Sequence, residues 1–269
     1  RENAQKKYSS FGGLHNEKYW NRTAITCSKI TSSVNSFRFK DAFQEYSSLA
    51  PTIFHSNDNN EVNKRTLLLV NSKVAQQVFW IMNPTMTINS GDILSLPLFK
   101  NAQVPEENAT TLIRISKIDW DAFEISWDFT SLPLLSQDHR SATLQNTYNS
   151  LRTNWQGMTD EMLCLEEENN QIFIDAYGLQ DELTPDVPLH EITLTCNPAY
   201  RYGQKVSKEV QEERLREDTM KEFISYAVGC MFGRYALEEP GLVLANQGET
   251  LEDYLRKVPN WWLTRCCSR

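Results

Sequence analysis

The sequence predicts an α+β fold, a small mixed α/β domain followed by a mostly helical region. Short runs of β-branched and aromatic residues, separated by polar turns, occupy the stretch from Tyr19 to Lys40. Beyond about residue 105 the apolar residues recur at helical spacing instead. The charge balance changes across the same boundary, from +5 over residues 1–105 to −13 over 106–269. The expected divisions are therefore 1–105, 106–257, and an atypical tail at 258–269.

Taken in order, Thr23 to Ile30 is rich in β-branched residues, and Ser36 to Lys40 alternates basic with aromatic residues so that Phe37 and Phe39 share a face. The polar stretch 31–35 between them suits a hairpin connection. Residues 56–64 read as an exposed polar loop. Val74, Val78, Ile81 and Met82 follow helical spacing up to Pro84, which stops the helix. The apolar run from Ile93 to Leu98, broken by Pro97, reads as an edge strand. Ser116 and Asp119 have the form of a capping box, and Trp120, Phe123 and Trp127 then predict one buried aromatic stripe. From Thr159 a helix carries Met162, Leu165, Asn169, Ile172, Phe173 and Ala176 along one side to Gly178, with Glu166, Glu167 and Glu168 on a solvated face. Ile192 to Thr195 reads as a strand. Ser207 to Tyr235 reads as a long helix whose second half, apolar nearly all round from Phe223 to Phe232, is expected to be buried.

Composition narrows the function classes. Seven tryptophans and 40% hydrophobic residues are a globular composition. No stretch of about 18 apolar residues occurs, so no membrane span is expected. The polar start of the chain is not a signal peptide, and its first residue, Arg1, points to a piece of something longer. The six cysteines form no C-x-x-C pair and the four histidines stand alone, which predicts free, mostly buried thiols and no metal site.

One tetrapeptide invites a catalytic reading. Amino-group DNA methyltransferases use an Asn/Asp-Pro-Pro-Tyr/Phe loop whose polar side chain accepts a hydrogen bond from the target amine while the aromatic stacks on the flipped base. Asn197-Pro198-Ala199-Tyr200 matches three of those four positions. The accompanying glycine-rich turn that lets backbone approach a nucleotide-like cofactor is missing, since the ten glycines include no G-x-G. The tetrapeptide is accordingly expected to be a turn packed through Tyr200 and Tyr202, and no catalytic or cofactor-binding residue is assigned. No G-x-S-x-G, P-loop or H-E-x-x-H occurs. The remaining candidates are basic and hydroxyl-bearing residues: Lys29, Ser32, Arg38 and Lys40 around the hairpin, with Lys64 and Arg65 beyond it. Such residues neutralise phosphates and reach base edges.

Several stretches resemble the C-terminal half of PglX-type proteins, the adenine-specific DNA methyltransferases of BREX phage-defence systems. They are 8–20 (YSSFGGLHNEKYW), 26–30 (TCSKI), 36–38 (SFR), 69–75 (LVNSKVA), 83–85 (NPT), 119–129 (DWDAFEISWDF), 166–170 (EEENN), 175–183 (DAYGLQDEL), 191–198 (EITLTCNP) and 223–234 (FISYAVGCMFGR). They run in order through nearly the whole chain. The resemblance implies a cytoplasmic bacterial enzyme that methylates adenine N6 with S-adenosylmethionine. Its cofactor site and Asn-Pro-Pro-Tyr loop lie upstream of the matched region, so Asn197 inherits no catalytic role. What the matched region resembles is the target-recognition part and the helices joined to it, with double-stranded DNA, the catalytic domain of the parent chain and other defence subunits as partners. The family continues past 241–255 into a further portion, whereas 258–269 resembles nothing in it; a truncated piece is expected. Two other readings are a protein-interaction scaffold within the defence complex and a stand-alone methyltransferase built on the Asn197–Tyr200 loop.

Overall fold

The computed structural model describes residues 17–32, 34–44, 47, 49–55, 59–97 and 104–258. The proposed tail beyond 258, Leu98, and most of the first matched stretch lie outside them. The architecture is α+β. One antiparallel sheet holds β1 (Ala24–Cys27), β2 (Phe37–Lys40) and β3 (Thr52–Ile53) in the order β2-β1-β3. The helices are α1 (Asn60–Val70), α2 (Lys73–Met82), α3 (Ser90–Leu94), α4 (Glu106–Asp121), α5 (Leu144–Tyr177), α6 (Pro198–Tyr202), α7 (Lys208–Met231) and α8 (Leu251–Lys257). Two compact units form. One holds the described residues up to Ile113 together with Cys164–Val187; the other holds Arg114–Leu163 and the described residues from Pro188. The second stretch of the first unit, 164–187, falls inside the region that the sequence reading grouped as 106–257.

The predicted hairpin forms with Thr26 opposite Arg38 and Ile25 opposite Phe39. Ile25, Cys27 and Phe37 turn inward onto α1, whose Leu67, Leu68 and Val70 join Val74, Phe79, Phe173 and Ile174 in one core. Two asparagines of the EEENN stretch are buried and tie α5 into this unit: Asn169 donates to the Leu68 carbonyl (3.0 Å), and Asn170 accepts the Lys73 N–H at the start of α2 (2.9 Å).

Local capping decides several elements that pattern alone misreads. Residues 60–64, expected in a loop, are the first turns of α1, because the Asn59 side chain accepts the Glu61 N–H. Ile93 and Leu94 are helical rather than a strand, because Asp92 reaches back to the Asn89 N–H (2.8 Å) and closes a one-turn helix. Ser116 is inside α4, which starts eleven residues after Ser95 with Glu106 and Glu107 at its positive end. The aromatic stripe is not buried: Trp120 and Trp127 are exposed and Phe123 half-buried, since α4 ends at Asp121 and irregular turns follow. α5 extends well before Thr159, its Thr143 hydroxyl accepting the Asn146 N–H, and it ends at Gly178 (φ +69°) as expected. Ile192 and Leu194 are buried in alternation, but no strand pairs with them among the described residues, because a carboxylate takes up the N–H groups that follow.

In the second unit, α7 starts at the Ser207 cap and packs Leu215, Thr219 and Tyr226 inward. Tyr226 stacks on Tyr235 (4.7 Å between ring centroids), and Phe129 meets both edge-on. The apolar second half of α7 is not buried all round: Ile224, Ala227, Val228 and Met231 are exposed. Gly229 is where the helix passes the Tyr235 ring, and a Cβ there would lie 2.6 Å from its Cδ2. Gly229→Ala gains helix propensity of about 1 kcal/mol, yet the fully buried ring, wedged between two aromatics, has no room to retreat. Overpacking of about 1–3 kcal/mol outweighs the gain, and a lower urea midpoint is expected; a raised midpoint would contradict this account.

Candidate nucleic-acid interface

Strand alternation fixes what the sheet shows on its outer side. With Ile25, Cys27, Phe37 and Ile53 directed to the core side, Thr26, Arg38 and Thr52 fall in one row on the other. The Thr26 hydroxyl accepts from Thr52 (3.1 Å), and Arg38 is exposed, its Nη1 donating to the Phe37 carbonyl (3.2 Å). Thr26 and Thr52 were not singled out from the sequence. Thr26 was visible in the same period-two alternation that marked Arg38, whereas Thr52 joins the row only through the pairing of β3, a strand too short to read.

The other sequence candidates separate. Lys29 is half-buried and Ser32 exposed, in the connection leaving β1. That connection is held by an antiparallel bridge, Thr31 N–H to the Met86 carbonyl (2.9 Å) and Ile88 N–H to the Lys29 carbonyl (2.9 Å). The Asn83 amide braces the same segment by donating to the Thr87 carbonyl (2.9 Å) and to Asp92 (2.8 Å), and it is the main reason the Asp92 carboxyl is held below its usual range. Lys64 and Arg65 stand on α1, the helix covering the inner side of the sheet, so they do not share a face with Arg38. Lys40 is a structural residue. It is 2% exposed, and its ammonium donates to the Arg22 (2.9 Å) and Asp41 (3.0 Å) carbonyls beside the Phe54 ring. A buried ammonium satisfied by backbone carbonyls has no reason to leave for a phosphate.

Asn197-Pro198-Ala199-Tyr200 is the start of α6. Asn197 is its N-cap, 1% exposed, with Oδ1 accepting the Ala199 N–H (3.1 Å) and Nδ2 donating to the Leu189 (2.7 Å) and Ile192 (2.9 Å) carbonyls. Just upstream, the buried Asp119 carboxylate accepts the N–H groups of Thr195 (2.6 Å) and Cys196 (2.9 Å). Burial, reinforced by Asp119, pushes the Cys196 thiol far up, so it is no nucleophile. Tyr200 is exposed rather than packed, while Tyr202 donates to Asp218 (2.8 Å), which also holds Lys221 (3.1 Å). Of the four described cysteines, Cys27 and Cys196 are buried, Cys230 is half-buried and Cys164 exposed. Among the described residues no three His, Cys, Asp or Glu side chains converge as a metal site, and no helix is long and apolar enough to cross a membrane.

No protein-family profile matches the chain. Two curated relatives do. Adenine-specific methyltransferase PglX of Lacticaseibacillus casei (strain Zhang) is 32% identical over 250 residues, covering 91% of this chain. Adenine-specific methyltransferase BrxX of Escherichia coli O9:H4 (strain HS) is 30% identical over 235 residues, covering 87% of it. The match takes in 19% of each relative, so the chain spans about a fifth of their length.

Proposed function

From a chain that corresponds to a segment of PglX-type adenine-specific methyltransferases, the resemblance read in its sequence, we propose a recognition role without chemistry. The chain reads the duplex target for a cytoplasmic, S-adenosylmethionine-dependent adenine-N6 DNA methyltransferase of phage defence, and the methyl transfer belongs to another part of the parent protein. The observation that carries this reading is the placement of Asn197. An amide whose donor and acceptor atoms are all engaged inside the fold has nothing to offer the amino group of a flipped base. The described residues also do not fit the cofactor. None of the three strands passes through glycines into a helix, and the positive-φ Gly178, Gly203 and Gly233 follow helices instead.

Recognition is supported by the outer row of the sheet. Arg38 beside two threonine hydroxyls offers a cation for phosphate or guanine and polar groups for either backbone or bases. Lys29 and Ser32, on a braced connection of the same strand, extend the same chemistry; Lys64 and Arg65 form a separate basic spot. The test is a mobility shift with random and candidate-site duplexes at two salt concentrations. Arg38→Ala is expected to weaken binding several-fold and to lower the salt slope by about 1. Equal affinity and an equal slope would remove Arg38 from the interface.

A further inference from the structure

The outward side of α7 is built to be covered. Ile224, Val228 and Met231 recur at i, i+4 and i+7, on the side of the helix away from the inward-packed Leu215, Thr219 and Tyr226. They are 62%, 44% and 82% exposed, and Phe232, the next residue, is 81% exposed. Exposed Ala227 lies among them, and residues 223–232 contain no charged side chain. A stripe of this kind on a helix that already has a packed inner side is the mark of an interaction surface.

The stripe leads into a groove. One turn before Ile224, Met220 lines a cleft of about 350 Å³ together with Leu144 and Tyr148 of α5 and with Arg216. Tyr148 is 6% exposed, and its hydroxyl has no hydrogen-bond partner among the described residues. Arg216 is exposed and makes no ion pair among the described residues, although Glu217 beside it lies on the same rim. The groove thus combines an apolar floor with an exposed cation, Arg216, at one end. It fits an amphipathic helix that presents an apolar stripe to α7 and an acidic group to Arg216.

We propose that this helix comes from the portion of a PglX-type methyltransferase outside the matched segment, and that α7 is where the recognition segment docks onto the rest of its enzyme. The inference rests on the function proposed above. The matched relatives hold about four-fifths of their length outside the segment, and a covering element on the same polypeptide binds at high effective concentration.

Two measurements test it. In sedimentation, this chain is expected to run as a monomer and to bind an apolar dye, with dye binding falling at least threefold in Val228→Glu/Met231→Glu at an unchanged melting temperature. In full-length E. coli BrxX, a photo-cross-linking amino acid at the position aligned with Met231 is expected to capture a peptide outside the matched segment. That second arm decides the matter if the double variant fails to fold. A dimer of this chain that the double variant dissociates would assign the face to a second copy and overturn the proposal, as would cross-links confined to the matched segment or none at all. The two proposals fail separately: loss of the cross-link with DNA binding retained ends the docking idea alone, and a cross-link without DNA binding ends the recognition idea alone.

Discussion

Asn197→Asp is expected to lower folding stability by about 3 kcal/mol or more, although the substitution changes one atom type. The new carboxylate oxygen would stand where Nδ2 now donates to the Leu189 and Ile192 carbonyls, at 2.7 and 2.9 Å. Three acceptors would then face each other with 1% of the residue exposed. Losing a buried donor and burying an unpaired charge both act in the same direction. This outcome separates the two readings of the tetrapeptide. In a base-flipping loop Asn and Asp occupy the same position, because either offers an acceptor to the target amine. In a helix cap that also ties down two carbonyls, only Asn serves. Urea denaturation of the two proteins provides the measurement, and equal midpoints would return Asn197 to the list of catalytic candidates.

The second large effect is expected at Asp119. Its carboxylate accepts two N–H groups, from Thr195 and Cys196, in the turn that leads into the Asn197 cap. Asp119→Ala leaves the buried Cys196 donor and the part-buried Thr195 donor unpaired. At about 1–3 kcal/mol for each buried donor, and less where water can reach Thr195, a loss of roughly 2–5 kcal/mol is predicted. Asp119→Asn keeps one acceptor and should fall between the two. Amide hydrogen exchange gives a local reading: in either variant the Thr195 and Cys196 amides should exchange faster, while those of β1 and β2 change little unless global stability limits them. Unaltered protection at 195 and 196 would show that the carboxylate is not what holds the turn. If both Asp119→Ala and Asn197→Asp behave as expected, the stretch from Glu191 to Pro198 is a structural clasp.

These two residues also show where sequence pattern stops. In the local sequence Asp119 has only the form of a helix-capping residue, but its partners lie 76 and 77 positions away. Nothing local announces a contact of that span. The same limit explains the strand expected at Ile192–Thr195. Burial alternates there as a strand requires, yet the neighbour that satisfies the backbone is a side chain rather than another strand.

The sequence by itself determined the local events. The Thr23–Lys40 hairpin, the stop of α2 before Pro84, the end of α5 at Gly178 and the Ser207 start of α7 all follow from alternation, proline, glycine and capping chemistry within a few residues. It determined the family resemblance as well, through matched stretches spread over nearly the whole chain. Only the tertiary structure decided which side chains remain available. Lys40 and Arg38 are two residues apart in one strand and on one side of it, yet Lys40 is buried under the Arg22 and Asp41 carbonyls while Arg38 is exposed. Phe223 and Ile224 are neighbours in an apolar run, yet Phe223 packs against the aromatic cluster while Ile224 does not. Periodicity fixes the direction in which a side chain leaves the backbone. What it meets there depends on segments distant in sequence, so availability, and with it function, is a property of the packed chain.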